Sequence, residues 1–268
     1  MADPFQDVDA RGADFIKAVA DALETRAAEP IMQDIVDGYL AEAGFQPGGV
    51  HLEVGAGTGA IARRIARHAK SGRVIASDLS PGLIDYARGH PDNPDNLEFE
   101  VATGATLEHD DASIDTVVMH TVLSHVPDPR ILLDEAARVL KPGGVLVICD
   151  ADFSKTSIGN TLGDPLDACA VYFADNFVTD KHLVGRLREL TAGAGFQIET
   201  FRVVSRLISE GLSAMNWVAM GGKMMVERGL IGQQMLDAMI AEYHRRLEVN
   251  ALYGFLPFAV LIARRASA

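Results

Sequence analysis

The sequence predicts an α/β protein built on a doubly wound, mostly parallel sheet, and three observations carry that expectation. Residues 50–54 form an apolar run ending in Glu53-Val54, followed by glycines at alternate positions, Gly55, Gly57 and Gly59. A helical pattern comes next, with Ile61, Ile65 and Ala69 four apart, and a β-rich run, Val74-Ile75-Ala76, then delivers Asp78. Strand-like and helix-like segments go on alternating through residues 50–149, the pattern of parallel strands joined by crossover helices. Residues 145–149 are apolar on both faces, as a buried parallel strand requires. The glycines let the chain turn sharply after the first strand and let a ligand approach without a Cβ in the way. An acid about 20 residues beyond such a turn is placed to accept two hydrogen bonds from a ribose diol.

Which nucleotide the turn serves is decided by Glu53. Gly55-x-Gly57-x-x-Ala60 also satisfies the dinucleotide fingerprint, so the glycines alone are a weak signal. A carboxylate at the strand end, facing the glycine crevice, would repel a pyrophosphate. It suits a ligand with an ammonium and a sulfonium and no phosphate, and S-adenosylmethionine is such a ligand. The bland alternative for Glu53 is a solvated acid at a strand end.

Composition narrows the class. A chain of 268 residues holds one α/β domain with additions, or two small domains. Its net charge of −13 argues against a nucleic-acid partner and against a polybasic membrane patch. The two cysteines, Cys149 and Cys169, show neither metal spacing nor a disulfide framework, which fits a reducing compartment. Residues 1–14 are acidic and lack the apolar core of a secretory signal. The longest apolar run, residues 255–263, is too short to cross a bilayer. The expectation is a cytoplasmic globular protein without a metal site, a monomer or homodimer that binds a small molecule.

Taken in order, residues 1–13 read as a mobile lead-in. Asp14 is placed to cap a helix carrying Phe15, Val19 and Leu23, and Glu29-Pro30 breaks it, because the residue before proline avoids the helical region. A second helix, residues 31–43, stops at Gly44. These two helices suit either a cap over the ligand or packing on the sheet flank. Ser80-Pro81 opens a helix to residue 90, with serine as cap and proline at its first position. Strands are expected over 97–101 and 114–119, and a helix from Asp128-Pro129 to residue 139, stopped by Lys141-Pro142-Gly143-Gly144. A short helix near 164–175, a helix over 181–194 capped by Asp180, and a strand over 196–208 follow. Residues 209–250 are helical with a break at 229–232, and 255–264 form the last strand. The expected organisation is an N-terminal helical cap (1–44), an α/β core (45–208), a helical lid insertion (209–250) and the last core strand (251–268).

The motifs EVGAGTG at 53–59, SDLSPGLIDYAR at 77–88 and HTVLSHVPDPRILLDEAARVLKPGGVLVICD at 120–150 resemble the class I S-adenosylmethionine-dependent methyltransferases, in the branch acting on small molecules. The resemblance covers residues 45–150 and implies a seven-stranded sheet whose last strand is antiparallel. It implies that Glu53 lies near the amino group of S-adenosyl-L-methionine, with Gly55, Gly57 and Gly59 beneath the methionine moiety. It places Asp78 on the ribose diol, Leu79 against adenine and His120 beside the cofactor. Where many relatives carry an aspartate for the adenine amino group, this chain has Thr103, whose hydroxyl can accept that bond without charge assistance, so recognition is expected to lean on the backbone of Gly104 and on apolar packing. Arg26 is carried over as a partner for the methionine carboxylate, or else it is a solvated helix-end arginine.

Methyl transfer from a sulfonium is an in-line displacement, so the protein must hold a nucleophile at attack distance and exclude water. A phenol or amine acceptor also needs a proton removed. His120, His125 and Asp152 are the candidates, with a packed histidine of the SHVPDP turn as the alternative for His125 and a linker residue as the alternative for Asp152. Six of the nine methionines fall in residues 209–250 around Trp217, which suits either a lid over an apolar acceptor or plain helix packing. Two other readings stay open. One is a protein of this fold that binds the cofactor without transferring its methyl group; the other is an NAD(P)-dependent oxidoreductase, against which Glu53 and the later motifs argue.

Overall fold

The computed structural model describes residues 3–212 and 214–266. The remaining residues of the expected lead-in, lid and tail lie outside the described residues. Seven strands make one sheet: β1 (Val50–Val54), β2 (Arg73–Asp78), β3 (Leu97–Val101), β4 (Ile114–His120), β5 (Leu140–Ala151), β6 (Phe196–Ile208) and β7 (Gly254–Arg265). Their spatial order is β3-β2-β1-β4-β5-β7-β6. Pairing is parallel from β3 across to β5. β7 then runs antiparallel to both β5 and β6. Strand order reverses between β1 and β4, and in open α/β sheets the crevice at the carboxyl ends of such strands is where ligands bind.

Alternation along β1 decides what faces that crevice. Leu52 and Val54 turn into a core shared with α5 (Pro129–Val139) and α7 (Leu183–Gly193). The opposite face of the sheet packs against α2 (Pro30–Ala43), α3 (Ala60–Ala69), α6 (Pro165–Phe177), α8 (Met215–Glu227) and α9 (Gln233–Glu248). α3 buries Ile61, Ala62, Ile65, Ala66 and Ala69. Its Arg63 is buried as well, donating to the Thr58 carbonyl at 2.9 Å and to Glu24 at 2.7 Å. Glu24 belongs to α1 (Ala13–Ala28), so this pair ties α1 across the glycine turn.

The two N-terminal helices divide the two expected roles. α1 lies over the crevice with Phe15, Val19 and Leu23 facing it, whereas α2 packs on the flank through Ile35, Val36 and Tyr39. Residues 3–12 are not a loose lead-in: two short 3-10 turns, Pro4–Gln6 and Asp9–Arg11, bury Pro4 and Val8. The reason is polar as well as apolar, since Asp9 accepts from Gly82 N and Asp3 from Thr179 N. Two expected caps are corrected. α1 begins at Ala13 behind Gly12, with no side-chain cap from Asp14. Asp180 accepts from His182 N at 3.0 Å, in the turn ahead of a helix that starts only at Leu183. The break at 229–232 stands between α8 and α9. α4 (Pro81–Arg88) is capped by the Ser80 hydroxyl on Leu83 N, as its sequence requires.

Candidate functional site

A cavity of about 530 Å³ opens at the carboxyl ends of β1 and β4. The glycine turn forms part of its wall. Gly55, Gly57 and Gly59 all have positive φ. A Cβ on Gly57 would sit 2.9 Å from Leu23 Cδ1, between the turn and α1. Gly55 and Gly57 line the cavity, whereas Gly59 turns away against Phe99 as the residue that starts α3.

Two carboxylates share this wall. Glu53 is 1% exposed and its Oε2 has no hydrogen-bond partner among the described residues. Burial, and after it the nearby Asp78 charge, pushes Glu53 well above the ordinary carboxylate range. Asp78 accepts from Gly57 N at 2.7 Å and from Ser80 N at 2.9 Å, so it braces the glycine turn as well as facing the cavity. Burial raises its pKa against the pull of those N–H groups. Leu79 beside it is 45% exposed and lines the same wall.

The end of β4 supplies the opposite polarity. His120 is 5% exposed, its Nδ1 lies 3.0 Å from the Tyr39 hydroxyl, and its Nε2 has no partner among the described residues. Burial and the neighbouring Arg26 hold its pKa down to about 3, so the ring is neutral at physiological pH. Arg26 Nη2 donates to Thr121 Oγ1 at 3.0 Å, and among the described residues no carboxylate pairs with it. Thr121 has φ +56°, an unusual conformation for a β-branched residue and one that collects at ligand sites.

The structure gathers Arg26, Glu53, Gly55, Gly57, Asp78, Leu79, His120 and His125 around one cavity. It leaves four expected residues off the wall: Gly59, which turns away against Phe99, and Thr103, Gly104 and Asp152. Thr103 is exposed and bridges to Thr106, because the chain turns back directly after β3. Gly104 packs against Val54 and Leu132. Asp152 accepts from Ser154 Oγ at 2.5 Å at the start of a 3-10 turn (Phe153–Lys155). His125 Nδ1 lies 2.8 Å from Asp3 Oδ2, an orienting contact that no local pattern announced. Tyr39 was legible only as part of an apolar helix face, and Thr121 carried no signal at all. Arg206, 2% exposed and paired with Glu29 at 2.5 Å, also reaches the cavity from β6. The remaining wall is mainly apolar, with Phe153, Phe173, Trp217, Met220 and Leu256, and Gln6, Thr58 and Asn216 are polar members of it. Of the six methionines of the expected lid, Met220 lines the cavity, Met224 and Met239 are buried in packing, and Met235 is exposed.

Comparison with known proteins gives the same reading. Residues 52–148 match the model of the methyltransferase domain family. The chain is 40% identical over 99 residues to demethylmenaquinone methyltransferase of Clavibacter sepedonicus, covering 37% of this chain and 40% of that protein. It is 35% identical over 140 residues to the malonyl-[acyl-carrier protein] O-methyltransferase of Hahella chejuensis, covering 52% and 44%. These matches span less than half the length of either relative. In fold it resembles phosphoethanolamine N-methyltransferase 2 of Haemonchus contortus, solved with phosphomonomethylethanolamine and S-adenosylhomocysteine, at a TM-score of 0.60 and 19% identity over 98% of this chain and 60% of that one.

The residues present fit S-adenosylmethionine. A glycine cradle that a Cβ would fill, an unpartnered buried carboxylate oxygen on Glu53 and a cation at Arg26 match a ligand carrying ammonium, sulfonium and carboxylate groups. Residues 52–148 thus match a methyltransferase domain, set in a seven-stranded sheet of the kind that the resemblance to the class I S-adenosylmethionine-dependent methyltransferases implies.

Proposed function

We propose that this chain moves the methyl group of S-adenosylmethionine to an oxygen, nitrogen or carbon atom of an apolar small metabolite. The observation that carries the reading is one cavity bounded both by Glu53, Gly57 and Asp78 and by Phe153, Phe173, Trp217 and Met220. In this reading Glu53 takes the ammonium, Asp78 the ribose diol, Leu79 the adenine face and Arg26 the carboxylate, with Gly55 and Gly57 beneath the methionine chain. When bound, the cofactor supplies a methyl group activated on a sulfonium whose sulfur leaves neutral. The apolar wall excludes water and holds the acceptor in line with that methyl group.

His125 is the group placed to remove a proton where the acceptor is a phenol or an amine. Asp3 accepts from its Nδ1, which leaves the neutral ring with Nε2 as its basic nitrogen, and His125 lines the cavity. Asp152 has no such access. The test has two arms. Calorimetric titration with S-adenosylhomocysteine against NAD should show binding of the first alone. Screening quinol-type phenols and other apolar acceptors for transfer of a labelled methyl group should give a product, and His125→Gln should suppress its formation while leaving S-adenosylhomocysteine affinity unchanged. Tight cofactor binding with no methylated product from any acceptor would favour a role without transfer.

A further inference from the structure

We infer that Tyr39 is a positioning residue that fixes His120 as its Nε2–H tautomer, so that His120 donates a hydrogen bond into the cavity, beside Arg26, to the cofactor carboxylate. This rests on the cofactor reading above and adds a role to a residue lying outside the cavity wall.

The argument is one of hydrogen-bond polarity. Tyr39 is fully buried, and among the described residues the only partner of its hydroxyl is His120 Nδ1, at 3.0 Å. Burial raises the phenol well above its usual pKa, so the hydroxyl keeps its hydrogen. A buried hydroxyl hydrogen needs an acceptor. If Nδ1 carried a proton it would face that hydrogen donor to donor. Nδ1 is therefore the acceptor, and in a neutral imidazole the proton then sits on Nε2. Nε2 is the atom left without a partner among the described residues, on a side chain that is 95% buried and lines the cavity.

The groups facing the ring give no reason for it to charge. Arg26 of α1 disfavours a second cation, Cys149 pairs beside it on β5 and burial holds that thiol protonated, and the Phe258 ring of β7 lies against it at 6.3 Å. Arg206 of β6 acts on Arg26 with the same sign. His120 is thus excluded as the proton acceptor that its place in the sequence suggested. A neutral N–H beside a guanidinium makes a fork for a carboxylate. His125 has the opposite polarity, Nδ1–H toward Asp3, so one cavity holds a donor histidine and an acceptor histidine.

Long-range 1H–15N correlation spectra of histidine-labelled protein test this, with His120→Asn used to assign the signals. The wild type should show the Nε2–H pattern at His120, unchanged from about pH 5.5 to 8.5, the range in which an unperturbed histidine changes charge. An Nδ1–H pattern, or a titration in that range, overturns the inference. Tyr39→Phe should convert the signal to a mixture of tautomers, and an unchanged Nε2–H pattern removes Tyr39 from the role. If that variant does not fold, the wild-type spectra decide. S-adenosylhomocysteine should move the Nε2 proton downfield, while 5′-methylthioadenosine, which lacks the carboxylate, should not. If both bind and both or neither move it, the carboxylate is not the oxygen served. If neither binds at all, the cofactor reading fails, and the tautomer result is judged separately.

Discussion

At Glu53 a carboxylate is buried with one oxygen unpartnered among the described residues, next to a second acid, Asp78. Its folded-state pKa lies above the unfolded value near 4.5. The folded form therefore favours the protonated acid, a contribution fully present below that value and lost as pH rises through the folded pKa. Glu53→Gln removes the cost, so the ligand-free variant should be more stable by about 0.5–2 kcal/mol at neutral pH. Urea unfolding should show the gain larger near pH 8 than near pH 5, as linkage requires; an equal gain at both would count against a charged Glu53. The same variant should bind S-adenosylhomocysteine more weakly, by about 1.5–3 kcal/mol, the range for a hydrogen bond to a charged group. Asp78→Ala should lose a similar amount, about 1.5–3 kcal/mol by calorimetry. It also strips the acceptor from Gly57 N and Ser80 N, so affinity equal to wild type with the fold intact would remove Asp78 from the ribose site.

Among the elements, the turn from β1 to α3 separates two glycine functions. Gly57 lines the cavity close against Leu23 of α1, and Gly59 faces the Phe99 ring behind the turn. Both have positive φ, where an L side chain costs about 1–2 kcal/mol. Gly57→Val should lose that stability and also abolish S-adenosylhomocysteine binding. Gly59→Ala should be destabilised by at least about 1–2 kcal/mol, because its Cβ would lie 2.7 Å from Phe99, yet still bind. Chemical denaturation and titration of the two variants read these effects apart. Loss of binding in the Gly59 variant alone would reverse the assignment. The α1 helix belongs to the same unit, since the Arg63–Glu24 pair holds it over the turn.

Across the whole molecule, the cavity is closed by parts far apart in the chain. Glu29, between α1 and α2, pairs with the buried Arg206 of β6, and Asp3 holds His125 and Thr179 together. Removing one partner of a buried ion pair leaves the other charge desolvated, so Glu29→Ala should cost up to about 3–5 kcal/mol in equilibrium unfolding. A change below about 0.5 kcal/mol, as for an exposed surface position, would show that the pair does not tie the sheet edge to the helices.

Local pattern sufficed for the alternation of elements, the glycine turn and the acid at the end of β2, whereas the antiparallel sense of the last strand was implied only by the family resemblance. Each of the first three depends on residues within a few positions of one another, through φ freedom at glycine, the proline and serine at the start of α4, and the unbroken apolar run of β5. Glu53 and Asp78 were legible as a site because strand ends lie at fixed distances from that turn. Tertiary structure decided the remainder. The apolar face of α2 hides the Tyr39 phenol that meets His120, 81 residues away. The packing of residues 3–12 on the turn after β4 brings Asp3 to His125, 122 residues away. The turn of the chain directly after β3 takes Thr103 off the wall, and the 3-10 turn at residues 153–155 does the same for Asp152. Polarity at a site is set by which buried donor meets which acceptor, and a sequence carries no local record of partners that only folding brings together.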